Sequence, residues 1–258
     1  MRISYTASLL AVSIGLLGIV SGARVIAMSP HQPSIVAQTR TPRSPEANDR
    51  DGIISPAEAV DESRERDQEV QDDKVPTALT NISNYGETLY DMAKVGDWAK
   101  ASTNLSLLQK AVRSLPSEID RQPISQLNST IANLSRSITS KNQPTALQRS
   151  NQVTLIAANM TKEFQPKLPV QVTLLDYYGR EFEIWSANRN TTQLRTTANK
   201  FRQTWNSLRP AVQTRNSAEA RTFDRIVAQV ETAKSPTEYG RLATPVLDAV
   251  DNLEKVFK

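Results

Sequence analysis

The chain has 258 residues, 38% of them hydrophobic and 5% aromatic, with no cysteine and one histidine, His31. The missing cysteine excludes disulfides, zinc–thiolate sites, haem attachment through C-x-x-C-H, cysteine nucleophiles and a lipid anchor on an N-terminal cysteine, and His31 stands in a proline-rich stretch where no packed histidine-based triad is expected. The formal charge of +4 is uneven: residues 1–75 carry 11 acids against 8 bases, and the rest 16 acids against 23 bases. Those bases stand singly, with no Lys/Arg run interleaved with aromatics, so a solvated helical surface is expected rather than a nucleic-acid site.

In chain order, Arg2 precedes an apolar stretch from Ala7 to Val20, and Ser21-Gly22-Ala23 follows. Small residues at the first and third of those positions suit a signal peptidase, and the stretch is short for a membrane span. Residues 1–23 are therefore read as a signal peptide or, left uncleaved, as a membrane anchor, which places the chain in the periplasm or outside the cell. Residues 24–75 are expected to be a flexible, charged region in which Pro30, Pro33, Pro42 and Pro45 argue against helix.

Within that region lies Asp49-Arg50-Asp51-Gly52-Ile53-Ile54-Ser55-Pro56-Ala57-Glu58. One reading is a helix start, with Ser55 as N-cap, Pro56 as first helical residue and Glu58 closing a capping box. The stretch over residues 47–58 also resembles an EF-hand calcium loop. Asp49, Asp51, Gly52, Ile54, Ser55 and Glu58 fall on the third, fifth, sixth, eighth, ninth and twelfth positions, where such a loop wraps a hard cation with oxygens. Ala47 stands where the loop normally begins with Asp. The resemblance implies Asp49, Asp51, Ser55 and Glu58 as metal ligands and calcium as the one cofactor; nothing else calls for one.

From Pro76 the pattern becomes helical, with scarce Gly and few β-branched runs. Helix one carries Leu79, Ile82, Tyr85, Leu89 and Met92 on one face and breaks at Gly96-Asp97, where Asp97 is a natural N-cap. Helix two carries Trp98, Ala101, Leu105, Leu108, Val112 and Leu115 and ends at Pro116. Helix three presents Ile124, Leu127, Ile131, Leu134 and Ile138. Helix four, from about Thr145 to Phe164, has the less regular face of Leu147, Val153, Ile156, Met160 and Phe164.

Pro166 and Pro169 then bracket a hinge. Helix five holds Leu175, Tyr178, Phe182 and Trp185. Helix six starts near Asn190 and carries Leu194 to Leu208, with Pro210 expected to kink its end. Helix seven offers Phe223, Ile226, Val227 and Val230. Helix eight opens on the capping box Ser235-Pro236-Thr237-Glu238 and presents Tyr239, Leu242, Val246, Val250 and Leu253, with Pro245 inside it.

These eight segments read as two copies of four. Tyr85-Gly86 answers to Tyr178-Gly179, Leu89 and Met92 to Phe182 and Trp185, and the ladder Ala101 to Leu115 to Leu194 to Leu208. With one loop residue lost in the second copy, Ile131, Leu134 and Ile138 pair with Phe223, Ile226 and Val230. The expected fold is all-α: two tandem up-down-up-down four-helix bundles from an internal repeat, over 76–165 and 169–258. In size, and in runs such as Phe223 to Lys234 and Leu247 to Phe257, the body resembles small periplasmic four-helix cytochromes. The haem ligands of that family have no counterpart here, so the resemblance implies architecture and not haem.

Helix bundles also hold metals through inward Glu and Glu-x-x-His pairs, and no helix here carries a His. Asp248, Asp251 and Glu254 read as an outward acidic stripe or, alternatively, a ligand set. Asp176, Glu181 and Glu183 read as solvent-facing or interhelical ion-pair residues. The aromatics Tyr177, Tyr178, Phe182, Trp185, Phe201 and Trp205 read as core, or as a groove for a ligand or partner. The resulting expectation is an exported, non-enzymatic helical protein that binds or scaffolds an envelope component, with a calcium-responsive binding protein as the alternative. No nucleic-acid partner is expected, and membrane association only through an uncleaved N-terminus.

Overall fold

The structure is a computed structural model that describes residues 75–257. The N-terminal segment and the Asp49 to Glu58 loop, with its expected ligands Asp49, Asp51, Ser55 and Glu58, lie outside the described residues. Among those described the fold is all-α, with no strand. The helices are α1 (Thr77–Val95), α2 (Trp98–Arg113), α3 (Arg121–Thr139), α4 (Gln143–Thr161), α5 (Val170–Ala187), α6 (Thr191–Arg215), α7 (Ser217–Thr232) and α8 (Pro236–Val256). A single 3-10 turn, Lys162–Phe164, follows α4.

Local chemistry sets most of the boundaries. Asp97, Asn142, Asn190 and Ser235 each accept a bond from the backbone N–H three residues on, satisfying a donor that the first helical turn leaves free. At the start of α8 the capping box closes: Glu238 N–H donates to Ser235 Oγ at 3.3 Å, and Lys234 N–H donates to the Glu238 carboxylate at 2.6 Å. Gly96 ends α1 at φ 75°, the left-handed conformation that glycine adopts without a Cβ penalty.

Two apolar cores result. In the first, α1 packs on α2 and α4, and α3 on both of those; Leu79, Ile82, Leu89, Ala101, Leu108, Leu127, Leu134 and Val153 are sealed from solvent. In the second, α5 packs on α6 and α8, and α7 on both of those. Aromatic rings dominate there. Phe182 meets Phe201 edge-on at 5.7 Å and stacks on Tyr239 at 5.5 Å, while Phe223 lies 4.4 Å from Trp205. The expected core faces are confirmed in outline, with Tyr85, Met92, Leu147, Tyr178, Trp185, Ile226 and Leu242 half-buried at their edges.

Many buried positions of the two cores recur at one constant spacing. Gly86 and Gly179 are both buried, at the closest approach of α1 to α4 and of α5 to α8. A Cβ on Gly86 would meet Thr154 Oγ1 at 2.9 Å and Val153 Cγ1 at 3.1 Å; on Gly179 it would meet Leu247 Cδ2 at 2.6 Å and Val246 Cγ1 at 3.2 Å. The same spacing pairs Pro76 with Pro169, Asp97 with Asn190 and Asn142 with Ser235 as caps. It also pairs buried Leu127 with Ala220, Leu134 with Val227 and Val153 with Val246. This spacing runs through with no loop residue lost, unlike the register expected from the sequence, and it sets buried Thr130 and Ser137 against Phe223 and Val230, with Ile131 and Ile138 buried one position on.

Two departures are visible. Pro210 does not end α6, which continues to Arg215, whereas α2 stops at Arg113 ahead of Pro116. A proline forfeits one backbone bond, and the buried Leu208 and Val212 on either side hold that helix together. At the turn matching Gly96, the second half carries Arg189 at φ 52°. A left-handed residue with a Cβ costs about 1–2 kcal/mol. Arg189→Gly is therefore expected to raise stability by about 0.5–1 kcal/mol in a urea melt; a loss would mean the Arg189 side chain makes a compensating contact.

Candidate functional site: a buried polar seam

α4 and α5 each bury a second face. Asn151 of α4 and Asp176, Arg180 and Glu181 of α5 lie there, all less than a tenth exposed. They meet where α5 lies against α4, with α1 alongside through Glu87, Tyr90 and Lys94. A polar layer therefore separates the two apolar cores.

Its centre is Glu181. Asn151 Nδ2 donates to Glu181 Oε1 at 3.2 Å and to the Tyr177 carbonyl at 3.1 Å, so one amide ties α4 to α5 twice. The Trp185 indole N–H donates to the other carboxylate oxygen. Burial pushes the Glu181 carboxyl above the usual carboxylate range, and the bonds from Trp185, Asn151 and Tyr177 pull it part of the way back. The Tyr177 hydroxyl is raised by its own burial and by the neighbouring Glu181 charge.

One turn back along α5, Asp176 Oδ2 and Arg180 Nη1 form an ion pair at 2.7 Å. Glu87 Oε2 of α1 stands 4.0 Å from Arg180 Nη2, and the guanidinium lies over the Tyr90 ring at 5.3 Å from its centroid. Tyr90 in turn donates its hydroxyl to Glu183 Oε2 at 2.7 Å, and Lys94 Nζ reaches Glu183 Oε1 at 2.6 Å. Burial and the Glu183 carboxylate both raise the Tyr90 hydroxyl, so it stays protonated and donating.

This settles the alternatives for the acids of α5. Asp176 and Glu181 are buried rather than solvent-facing, and Glu183 bridges to two residues of α1. The contact uses positions where the halves differ. Glu87 and Arg180 occupy matching positions, as do Tyr90 and Glu183, or Thr88 and Glu181. The polar residues of α4 passed unnoticed because Ser150, Asn151 and Thr154 look like a solvated helix face. Not all of them find partners: Ser150 Oγ, Asn151 Oδ1 and Thr154 Oγ1 are buried without a hydrogen bond among the described residues.

The other sequence candidates fall elsewhere. Asp248 is exposed, with Asp251 and Glu254 half-buried beside it. Among the described residues no group of three His, Cys, Asp or Glu side chains could hold a metal ion. Phe182, Phe201 and Trp205 are core, while Tyr177, Tyr178 and Trp185 are half-buried near the seam. Arg209 forks onto Asp224 at 2.8–2.9 Å, and the Trp205 indole donates to the same carboxylate, clasping α6 to α7. A recess of about 300 Å³ at the α7–α8 turn is lined by Gln229, Thr232, Ala233, Glu238, Arg241 and Leu242. Among the described residues no helix is long and apolar enough to cross a membrane. Comparison with family models, curated proteins and solved structures finds no match for the chain.

Proposed function

We propose that the chain is an exported, non-enzymatic helical protein that binds or scaffolds an envelope component. We further propose that its body is two tandem up-down-up-down four-helix bundles, over 76–165 and 169–258, derived from an internal repeat. The repeat reading is supported by the matched caps, the matched buried positions and the two glycines at the same helix crossing.

The observation that carries the functional reading is how the three acids of the seam and Asp224 are used. Glu181, Glu183, Asp176 and Asp224 are all engaged by side chains that bind one helix to the next or brace a single helix. Acid–base chemistry needs a carboxyl with a substrate-facing lone pair or proton, and these spend theirs on structure. Such a body presents a surface rather than a reacting group.

Recovering the protein from its own cells tests the export half. The mature chain is expected in the envelope fraction with its N-terminus just after Ala23; a cytosolic chain that retains Met1 removes export. Cross-linking of the envelope-bound chain is expected to give a discrete adduct, and monomer alone counts against a scaffold.

The calcium alternative rests on the spacing of Asp49, Asp51, Ser55 and Glu58. Calorimetric titration of the full chain with calcium decides it. Heat that Asp51→Ala abolishes would replace the scaffold reading with a calcium-responsive one. An absence of heat in both proteins removes calcium.

A further inference from the structure

The seam differs in kind from the cores it separates. On either side of it the helices meet through sealed apolar side chains, which stabilise by roughly 1.5–3 kcal/mol each. Across it they meet through polar groups taken out of water, and Asn151 Oδ1 has no hydrogen bond there among the described residues. The covalent link beside it suits a hinge. The 3-10 turn Lys162–Phe164 is followed by Gln165 at φ 48° and by Pro166, with Pro169 capping α5. Opening there would free both cores to move as units without unfolding either.

From the burial of Glu181 between α4 and α5, its three donors and the polar layer around it, we infer that the seam is an acid-closed joint between the two cores. A closed seam buries the Glu181 carboxyl, and an open one returns it to water. Protons therefore bind the closed form more tightly, and by linkage a falling pH draws the population toward closure. Above its raised value the carboxylate is charged and desolvated, which favours opening; the direction of that displacement agrees with the geometry.

The other charges around Glu181 do not supply the same response. On α5 itself Asp176 and Arg180 neutralise each other, and Glu183 lies toward α1 with Lys94 and Tyr90. From α1, Glu87 faces Arg180, and the charge of Asp91 acts on Tyr90. From α4, Arg149 stands next to Ser150 and Asn151 in sequence, and Asn151 carries no charge. From α6, Lys200 favours the Glu181 carboxylate and so opposes protonation. From α8, Tyr239 stacks on Phe182 in the second core. Protonating Glu87, Asp176 or Glu183 breaks an ion pair and loosens the seam, so it works against acid closure. A pH-driven tightening therefore reports Glu181.

The inference stands on the seam and is independent of export, calcium or partner binding. The chain has no cysteine, so Ser102→Cys and Gln203→Cys, at exposed positions on α2 and α6, give one label on each half of the full chain. At pH 5 the label-to-label distance is expected to be single and narrow. By pH 8 a second, longer distance appears, and in Glu181→Gln the distribution no longer changes with pH. A distribution identical at both pH values in the otherwise native chain overturns the joint, as does the same pH trend in Glu181→Gln. Should Glu181→Gln fail to fold, the indole proton of Trp185 in the native sequence replaces it. Its resonance should titrate with a midpoint above the usual carboxylate range and in step with the distance change, and a midpoint within the usual range overturns the inference.

Discussion

Arg180→Met is expected to destabilise the protein by about 3–5 kcal/mol, among the largest effects of any single substitution in the body. Arg180 is 5% exposed and Asp176 1%. Removing the guanidinium takes the ion-pair partner at 2.7 Å from buried Asp176 and a cation 4.0 Å away from Glu87. It also takes away the cation over the Tyr90 ring. Asp176→Leu takes away the arginine's nearest carboxylate and is expected to cost less, because Glu87 and the Tyr90 ring still face the guanidinium. The double replacement removes both charges and should return to within about 1 kcal/mol of the original or exceed it, since a paired buried charge gains little over a well-packed apolar pair. Urea midpoints with unchanged m values measure the cycle. Additive single effects would mean that the two residues do not interact, and the seam as described would be wrong.

Phe182→Ala should cost about 3–5 kcal/mol, and its counterpart Leu89→Ala about 2–5 kcal/mol. Both side chains are fully buried at matching positions of α5 and α1. Phe182 is wedged between the Phe201 and Tyr239 rings, which are held by their own helices and cannot collapse into the space a methyl would leave. Leu89 has aliphatic neighbours that relax more readily, so its cost falls lower. Tryptophan emission separates the halves, because Trp205 reports the second core and Trp98 packs against the first. A cost below about 1 kcal/mol at Phe182 would contradict the packing of the second core.

The all-α class, the eight helices of the described residues and some of their caps were legible because those signals are local. Asp97, Asn190 and Ser235 sit where a helix start needs an acceptor, and Gly86 and Gly179 stand at matching places in the apolar pattern. The seam was not legible, and the reason is physical. Asp176 and Arg180 stand four apart on one helix, the same spacing as a surface ion pair, and only the helices packed over them distinguish the two cases. One hint was present: in α5 apolar or aromatic residues recur at Val170, Val172, Leu174, Leu175, Tyr177, Tyr178, Phe182, Ile184 and Trp185. That series goes round the whole helix, and a helix apolar all round is buried all round. The register of α3 against α7 failed for the opposite reason. Neighbouring Thr130 and Ile131 are both buried, so either could be aligned with Phe223.

An arrangement of two apolar cores that meet across a polar seam should be visible in amide hydrogen exchange on the full chain. Two sets of slow amides are expected, one spanning Ala101 to Leu108 and Val153 to Ala157, the other Leu194 to Phe201 and Val246 to Val250. Matching positions should be protected alike, and the Arg180→Met substitution should lower protection first in α4 and α5. Protection confined to one half, or α4 and α5 exchanging as fast as the Lys162 to Pro169 link in the unsubstituted chain, would contradict it.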